Sequence, residues 1–115
     1  MNDQKFVNAI YAELFEHNFL HYKEALTRPV DEQQDAFARA RNALASLSDA
    51  QKMHVIDFFK VVMADSASVL LGVLDGVHFP NDLNGDIVLS LDGEPIQGDL
   101  QDRFIDKAQQ DDVYG

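Results

Sequence analysis

The stretch 53–74 restricts the fold more than any other part of the sequence, because it is apolar on nearly every side of a helix. Residues 48–51, Ser-Asp-Ala-Gln, form a capping-box sequence before it, and Gly76 after it suits a left-handed helix stop. A helix that is apolar on most faces is normally surrounded by other elements. The sequence therefore predicts a central helix over about 49–75, which the polar cluster 65–68 either kinks or splits in two.

Two further helices are predicted before this central one. The first, over about 3–26, is indicated by apolar residues that recur every four positions: Phe6, Ile10 and Leu14. The second is predicted to begin at Asp31, whose carboxylate can accept a hydrogen bond from the backbone amide of Gln34. An alanine-rich apolar stripe over 36–47 continues this second helix and permits close approach to a neighbour.

The C-terminal third alternates between strand and helix patterns. Residues 87–91 alternate as in a strand, and Asp92-Gly93 is a strong two-residue hairpin sequence. The return strand over 94–97 is short, because Pro95 cannot donate a ladder hydrogen bond. Asp99 is predicted to cap a last helix over about 100–109. The tail 111–115 is predicted to fray.

These elements predict a mainly α fold in a single domain, 1–115. It is a bundle of three to four helices around the central apolar helix (about 49–75). A small β-hairpin (about 87–97) precedes a short C-terminal helix. A chain of 115 residues buries roughly two-thirds of its unfolded surface, enough for one modest core.

Composition excludes several classes of function. The chain has no Cys, which removes disulfides, thiolate metal sites and thiol catalysis, and favours a bacterial-type cytoplasm or another reducing compartment. No signal-peptide pattern opens the sequence, and the longest uncharged stretch, between Asp65 and Asp75, is too short to span a membrane. Glycine-rich phosphate loops, nucleophile elbows and basic clusters are absent from the sequence. We therefore expect no enzymatic activity, no cofactor, and no binding to nucleic acid or membranes.

The charge of the chain is −11 and lies mostly in its C-terminal half. No Lys or Arg occurs between Val61 and Asp102, while eight acids do. The leading hypothesis is a non-enzymatic acidic protein-binding module that engages a basic partner through this half. An inhibitor, or an immunity protein that neutralises a nucleic-acid-cleaving toxin, fits this size and charge. The residues predicted to bind the partner are Asp82, Asp86, Asp92, Glu94, Asp99 and Asp102.

This hypothesis holds only if the bases of the first half do not neutralise those carboxylates. Close contacts from any of four side chains would remove it: Arg39, Arg41, Lys52 and Lys60.

The alternative hypothesis is a metal or small-ligand site on the first helix. His17 and His21 lie one turn apart, and the helical periodicity places them on the apolar side with Phe6 and Ile10. Two imidazoles at this spacing can chelate a divalent metal with a nearby carboxylate. A buried pair could instead act as a pH switch, or the two histidines are simply half-buried at a helix interface. No pattern in the sequence places a third ligand, and His54 and His78 could complete a site only if the fold brings them together.

Two further interpretations are open. Residues 82–86 match the first five positions of a calcium loop, but Ile87 and Gly93 then stand where the loop needs Gly and Glu. Turn formation alone also explains this composition. The third functional hypothesis is a homodimer that buries surplus apolar surface of the central helix.

Overall fold

The structure, a computed structural model, describes residues 2–115 and is mainly helical, as the sequence predicts. A small two-stranded antiparallel hairpin precedes the short C-terminal helix. The elements in chain order are α1 (Asn2–Ala12), a π-helical segment (Glu13–Asn18), α2 (Phe19–Thr27), α3 (Ala36–Leu44), α4 (Asp49–Asp75), β1 (Ser90–Leu91), β2 (Glu94–Pro95) and α5 (Leu100–Gln110).

Helix α4 is the long central element, and both of its predicted ends are confirmed. The Gln51 amide donates to Ser48 Oγ at 3.1 Å, and the Ser48 amide donates to Gln51 Oε1 at 3.0 Å. Gly76 ends the helix with a φ of 76°. The polar cluster 65–68 does not split α4, which runs without a break from Asp49 to Asp75. Asp65 and Ser66 lie on its exposed side, whereas Ser68 is buried.

The first rod of the molecule is longer than one regular helix. α1, the π-helical segment and α2 follow each other without a break, since Ala12 and Phe19 both keep right-handed helical angles. A π-helical turn adds one residue to the helix and so rotates everything after it. The buried face therefore passes from Val7 and Tyr11 to Phe19, where an uninterrupted α-helix would place Asn18. The sequence analysis did not predict this segment.

Two separate clusters of buried side chains lie along α4. The first core joins α1, the C-terminal half of α4, and α5 with its tail: Val7, Tyr11, Ala64, Leu71, Leu100, Phe104, Ala108 and Val113. The second core joins α2, α3 and the N-terminal half of α4: Phe19, Leu26, Leu44 and Ile56. Because the two cores follow one another along the length of α4, the molecule is elongated. Its radius of gyration is 17.3 Å, against about 13 Å for a compact chain of this length.

Helix α3 begins later than predicted. Its N-cap is Asp35, whose carboxylate accepts from the Ala38 amide at 2.8 Å. Asp31, the predicted cap, instead accepts from the Gln33 amide and from Arg41 Nη1 at 2.7 Å. The prediction was wrong because a distant arginine, which a local pattern cannot show, uses the Asp31 carboxylate.

Arg41 holds α3 to the end of α2. Its side chain is only 7% exposed, and its Nε donates to the Ala25 carbonyl at 2.7 Å. Replacing Arg41 by Ala should lower the free energy of unfolding by about 2 kcal/mol, since a buried carbonyl and a half-exposed Asp31 lose their donor. Urea unfolding followed by circular dichroism measures this. The matched control is Arg39→Ala, which removes an exposed arginine bonded only to the Gln34 carbonyl; an equal loss there would contradict the special role of Arg41.

The hairpin is present but shorter than the predicted 87–97. Asp92 and Gly93 both have positive φ, 53° and 81°, as the mirror-image turn of a two-residue hairpin requires. Pro95 lacks an amide hydrogen, and a side chain replaces part of the ladder. Gln97 Nε2 donates to the Ile87 carbonyl at 2.7 Å, and Gln97 Oε1 accepts from the Leu89 amide at 3.1 Å.

Helix α5 is capped by a residue from another helix. Asp99 occupies the N-cap position, but its side chain makes no capping hydrogen bond. The Asp75 carboxylate, at the end of α4, accepts from the amides of Gly98 (2.7 Å), Leu100 (3.1 Å) and Gln101 (2.8 Å). The prediction that Asp99 caps α5 was therefore wrong, and the turn 98–101 is anchored to α4.

The C-terminal tail is folded, contrary to the prediction that it frays. Val113 is 9% exposed in the first core, and its amide donates to the Ala108 carbonyl at 3.0 Å. Asp112, with a φ of 58°, gives the backbone the turn that this contact needs. Burial of the Val113 side chain thus stabilises the tail 111–115, whose polar composition had led to the prediction of fraying.

Tyr11 makes the first core sensitive to alkaline pH. Burial raises the pKa of its phenol, and the neighbouring carboxylate of Asp111 raises the pKa further. Because the folded pKa lies above the unfolded value, the stabilisation is complete below about pH 10 and is lost as pH rises further. We expect the urea midpoint to fall above pH 10, and to fall less steeply in Tyr11→Phe. Tyr22→Phe, at a 38% exposed site, is the control; an unchanged slope in Tyr11→Phe would contradict the assignment.

Candidate protein-binding surface

The six acids predicted to bind a partner are all exposed in the structure. They lie in the loop after α4, on the hairpin and at the start of α5, and are called here the acidic surface: Asp82, Asp86, Asp92, Glu94, Asp99 and Asp102. Within residues 2–115 none of them forms a salt bridge. Glu94 accepts a hydrogen bond from Asn2 Nδ2 at 3.2 Å, and this neutral donor leaves its charge in place.

Within residues 2–115, no base of the first half forms a salt bridge with the acidic surface. Arg41 pairs with Asp31, and Arg39 donates to the Gln34 carbonyl at 2.6 Å. Lys60 stands over the Phe19 ring, 4.7 Å from its centroid. Lys52 makes no salt bridge to any residue between 2 and 115.

The two bases of the C-terminal half are also occupied elsewhere. Arg103 Nε lies 3.0 Å from Asp3 Oδ2, so its charge is directed toward α1. Lys107 stands over the Tyr11 ring at 5.1 Å. The contacts that would have removed the acidic-surface hypothesis are thus not found in the part of the chain that the structure describes.

Large apolar side chains stand among these carboxylates, and the sequence analysis did not single them out. Phe79 is 77% exposed, Val88 68%, Val77 58% and Leu83 49%. Phe79 and Leu83 flank in sequence the turn at Asp82, which has a φ of 66°, and both line one groove with Asp86. The pattern that could have revealed Val77, Phe79 and Leu83 is the succession of apolar residues in a loop between two regular elements, where no helical or strand period explains them. Val88 was instead included in the predicted strand over 87–91.

A shallow groove of about 260 Å³ lies beneath this loop. Its walls are partly apolar and partly polar, and include His78, Phe79, Leu83, Asp86 and Gln97. Exposed apolar groups bordered by charged groups are the arrangement of protein-binding surfaces, where a partner covers the apolar centre and the charges form the rim. The acidic surface and the exposed apolar side chains beside it therefore supply the charged rim and the apolar centre of such a site.

His17 and His21 do not lie on the apolar side of the first helix, where the helical periodicity placed them. Both His17 and His21 are exposed, because the π-helical segment containing His17 changes the register that the helical period assumed. The placement on the apolar side was wrong. His21 meets Tyr22 and Phe37 edge-on, with ring centroids 5.5 and 6.3 Å away.

Across residues 2–115, no three His, Asp or Glu side chains gather closely enough to hold a metal ion. This finding covers both the histidine pair and the segment 82–86, which leads into the hairpin. The metal site at His17 and His21 stays a prediction without a third ligand.

Comparisons with known proteins add no assignment. Neither a family model, nor a curated protein, nor a solved structure matches this chain. No helix within 2–115 has both the length and the hydropathy needed to cross a bilayer. What bears on function is therefore the geometry of the surface.

Proposed function

We propose that this chain is a non-enzymatic protein-binding module that docks a basic protein through its acidic surface. The observation that carries the proposal is the combination of six exposed carboxylates, unpaired within residues 2–115, with the exposed side chains of Phe79, Leu83 and Val88. The partner that fits is a positively charged protein, such as the target of an inhibitor or a nucleic-acid-cleaving toxin that an immunity protein neutralises.

The two kinds of side chain have different tasks in this proposal. Unpaired carboxylates raise the association rate of a positively charged partner by long-range attraction, which screening by salt weakens. Phe79 and its apolar neighbours supply the short-range energy, because a partner that covers them removes apolar surface from water. The negative sign of the surface disfavours nucleic acid, whose phosphates it repels.

Neutralising part of the acidic surface should weaken partner binding about tenfold, or about 1.4 kcal/mol. The test variant replaces Asp82, Asp86 and Asp92 by Asn and Glu94 by Gln. Asn tolerates positive φ, so the turns at Asp82 and Asp92 are kept. The measurement compares partners captured from cell extract by immobilised wild type and variant, followed by the dissociation constant of the purified complex.

The matched control removes the same charge from exposed acids of the first half, in a variant with Glu13, Glu16 and Glu32 replaced by Gln and Asp57 replaced by Asn. We expect a stoichiometric basic protein on wild type and on this control, and much less on the C-terminal variant. Capture of no basic protein, or equal affinity for both variants, would contradict the proposal.

A further inference from the structure

The exposed side of α4 carries a continuous apolar face. Val55, Val62 and Val69 are spaced seven residues apart and are 38%, 48% and 48% exposed. At about 100° per residue they lie within about 40° of one another around the helix. Phe58 and Leu70, beside them, are 59% and 66% exposed. These five residues are called the α4 face. Ser66 lies within it, Asp65 borders it beside Phe58, and Lys52 lies at its N-terminal end.

Two apolar grooves border the α4 face and join each other. One, of about 330 Å³, lies between α3 and α4, and the other, of about 460 Å³, lies between α1 and α4. Both are lined by Tyr22, Val62 and Met63, so they form one continuous depression. Their walls are almost wholly apolar, with Ser66 and Asn18 as the polar exceptions.

The molecule exposes more surface than a folded monomer of its mass. Its accessible surface is 7754 Å², whereas a compact protein of 12.9 kDa exposes roughly 6,300 Å². The excess is roughly 1,400 Å², and a stable protein interface buries about 800 Å² on each partner. One interface of ordinary size along the α4 face would therefore remove more than half of the excess.

We propose that two copies of this chain form a dimer through their α4 faces, with the helices antiparallel and a two-fold axis at Val62. Val62 is the midpoint of Asp49–Asp75, so rotation about it superposes one α4 on the length of the other. Val55 then faces Val69 of the second copy, and Phe58 faces the small Ser66, at the edge of the groove between α1 and α4. A seven-residue apolar repeat is the spacing that shallowly crossed helices use.

Charge favours the antiparallel arrangement of the two helices. The dimer also forms without a basic partner. The acidic surface follows the C-terminal end of α4, so parallel helices would bring two acidic surfaces together. Antiparallel helices place them at opposite ends and leave both open. The dimer therefore does not depend on the proposed function, and salt should strengthen it by screening two chains of charge −11.

Light scattering during size exclusion tests the dimer. Wild type should have about twice the 12.9 kDa chain mass at micromolar concentration. Val62→Glu should raise the dimer dissociation constant at least 100-fold, with an unchanged circular dichroism spectrum, because two carboxylates would meet on the axis. Val30→Glu is the control, at a 57% exposed valine outside α4. A monomeric wild type, or a Val62→Glu variant that still dimerises, would overturn the proposal.

Cysteine cross-linking tests the geometry, because the chain has no Cys of its own. Under mild oxidation, Val62→Cys should form a disulfide-linked dimer, since residues on a two-fold axis approach their own copies. Val55→Cys should not cross-link to itself but should cross-link to Val69→Cys when the two variants are mixed. Self-cross-linking of Val55→Cys, or none by Val62→Cys, would overturn the antiparallel arrangement.

Discussion

Replacing Phe104 by alanine should lower the free energy of unfolding by about 4 kcal/mol, the largest effect that we expect from one substitution. The ring has no exposed surface and lies at the centre of the first core. Its centroid is 5.4 Å from that of Tyr11 and 6.2 Å from that of Phe15. Both rings belong to the first rod, so the substitution leaves a cavity where α1, α4 and α5 meet. Urea unfolding followed by circular dichroism measures the change.

The control for this prediction is the same truncation at an exposed phenylalanine. Phe79 is 77% exposed, and Phe79→Ala should change the free energy of unfolding by less than about 0.5 kcal/mol. A domain of this size is stable by roughly 5–15 kcal/mol, so the loss at Phe104 can remove half of the total. If Phe104→Ala costs no more than Phe79→Ala, the described packing of α5 on α1 is contradicted.

Replacing Asp75 by alanine should cost about 3 kcal/mol, because one carboxylate serves three backbone amides. Loss of the carboxylate leaves the first amides of α5 without their acceptor and detaches the turn at Gly98 from the end of α4. Asp75→Asn should lose less, since its remaining oxygen can still accept from the two amides that Asp75 Oδ1 serves. The same urea measurement ranks these variants.

Asp99→Ala provides the internal comparison, because Asp99 stands at the N-cap position of α5 without a capping hydrogen bond. We expect its free energy of unfolding to change by less than about 0.5 kcal/mol. If Asp99→Ala proved more costly than Asp75→Ala, the cap would belong to Asp99, as the sequence pattern alone indicates.

These comparisons show which parts of the fold the sequence could predict. The bounds of α4 follow from short-range patterns: Ser48 and Gln51 are three residues apart, and Gly76 acts on its own turn. The Asp75 cap joins residues 23 to 26 positions apart, and the Asp31–Arg41 pair spans ten. The local pattern therefore assigned the α5 cap to the adjacent Asp99 and the start of α3 to Asp31, and the structure moves these to Asp75 and Asp35.

The sequence predicted the candidate surface only in part, as it did the fold. A loop and hairpin without bases made exposure of Asp82 and Asp92 a direct consequence of local structure. The separation of Arg39 and Lys60 from them depends on tertiary packing, which the sequence does not contain. Phe79 was missed because an apolar residue in a loop has no period to mark it. Val88 was missed because the alternating pattern over 87–91 predicted a strand there, whereas β1 begins only at Ser90. The surplus of apolar residues on α4 is visible in the sequence, but only the placement of the neighbouring helices shows which face of α4 is left uncovered.

The salt dependence of the complex with the captured basic protein tests the central claim most directly. Dissociation constants of wild type, the C-terminal four-acid variant and the matched N-terminal variant are measured from about 20 to 300 mM salt, across which screening becomes strong. We expect binding by wild type and by the N-terminal variant to weaken steeply with salt, and binding by the C-terminal variant to respond much less. Equal slopes for all three proteins, or binding indifferent to salt, would contradict recognition through the acidic surface.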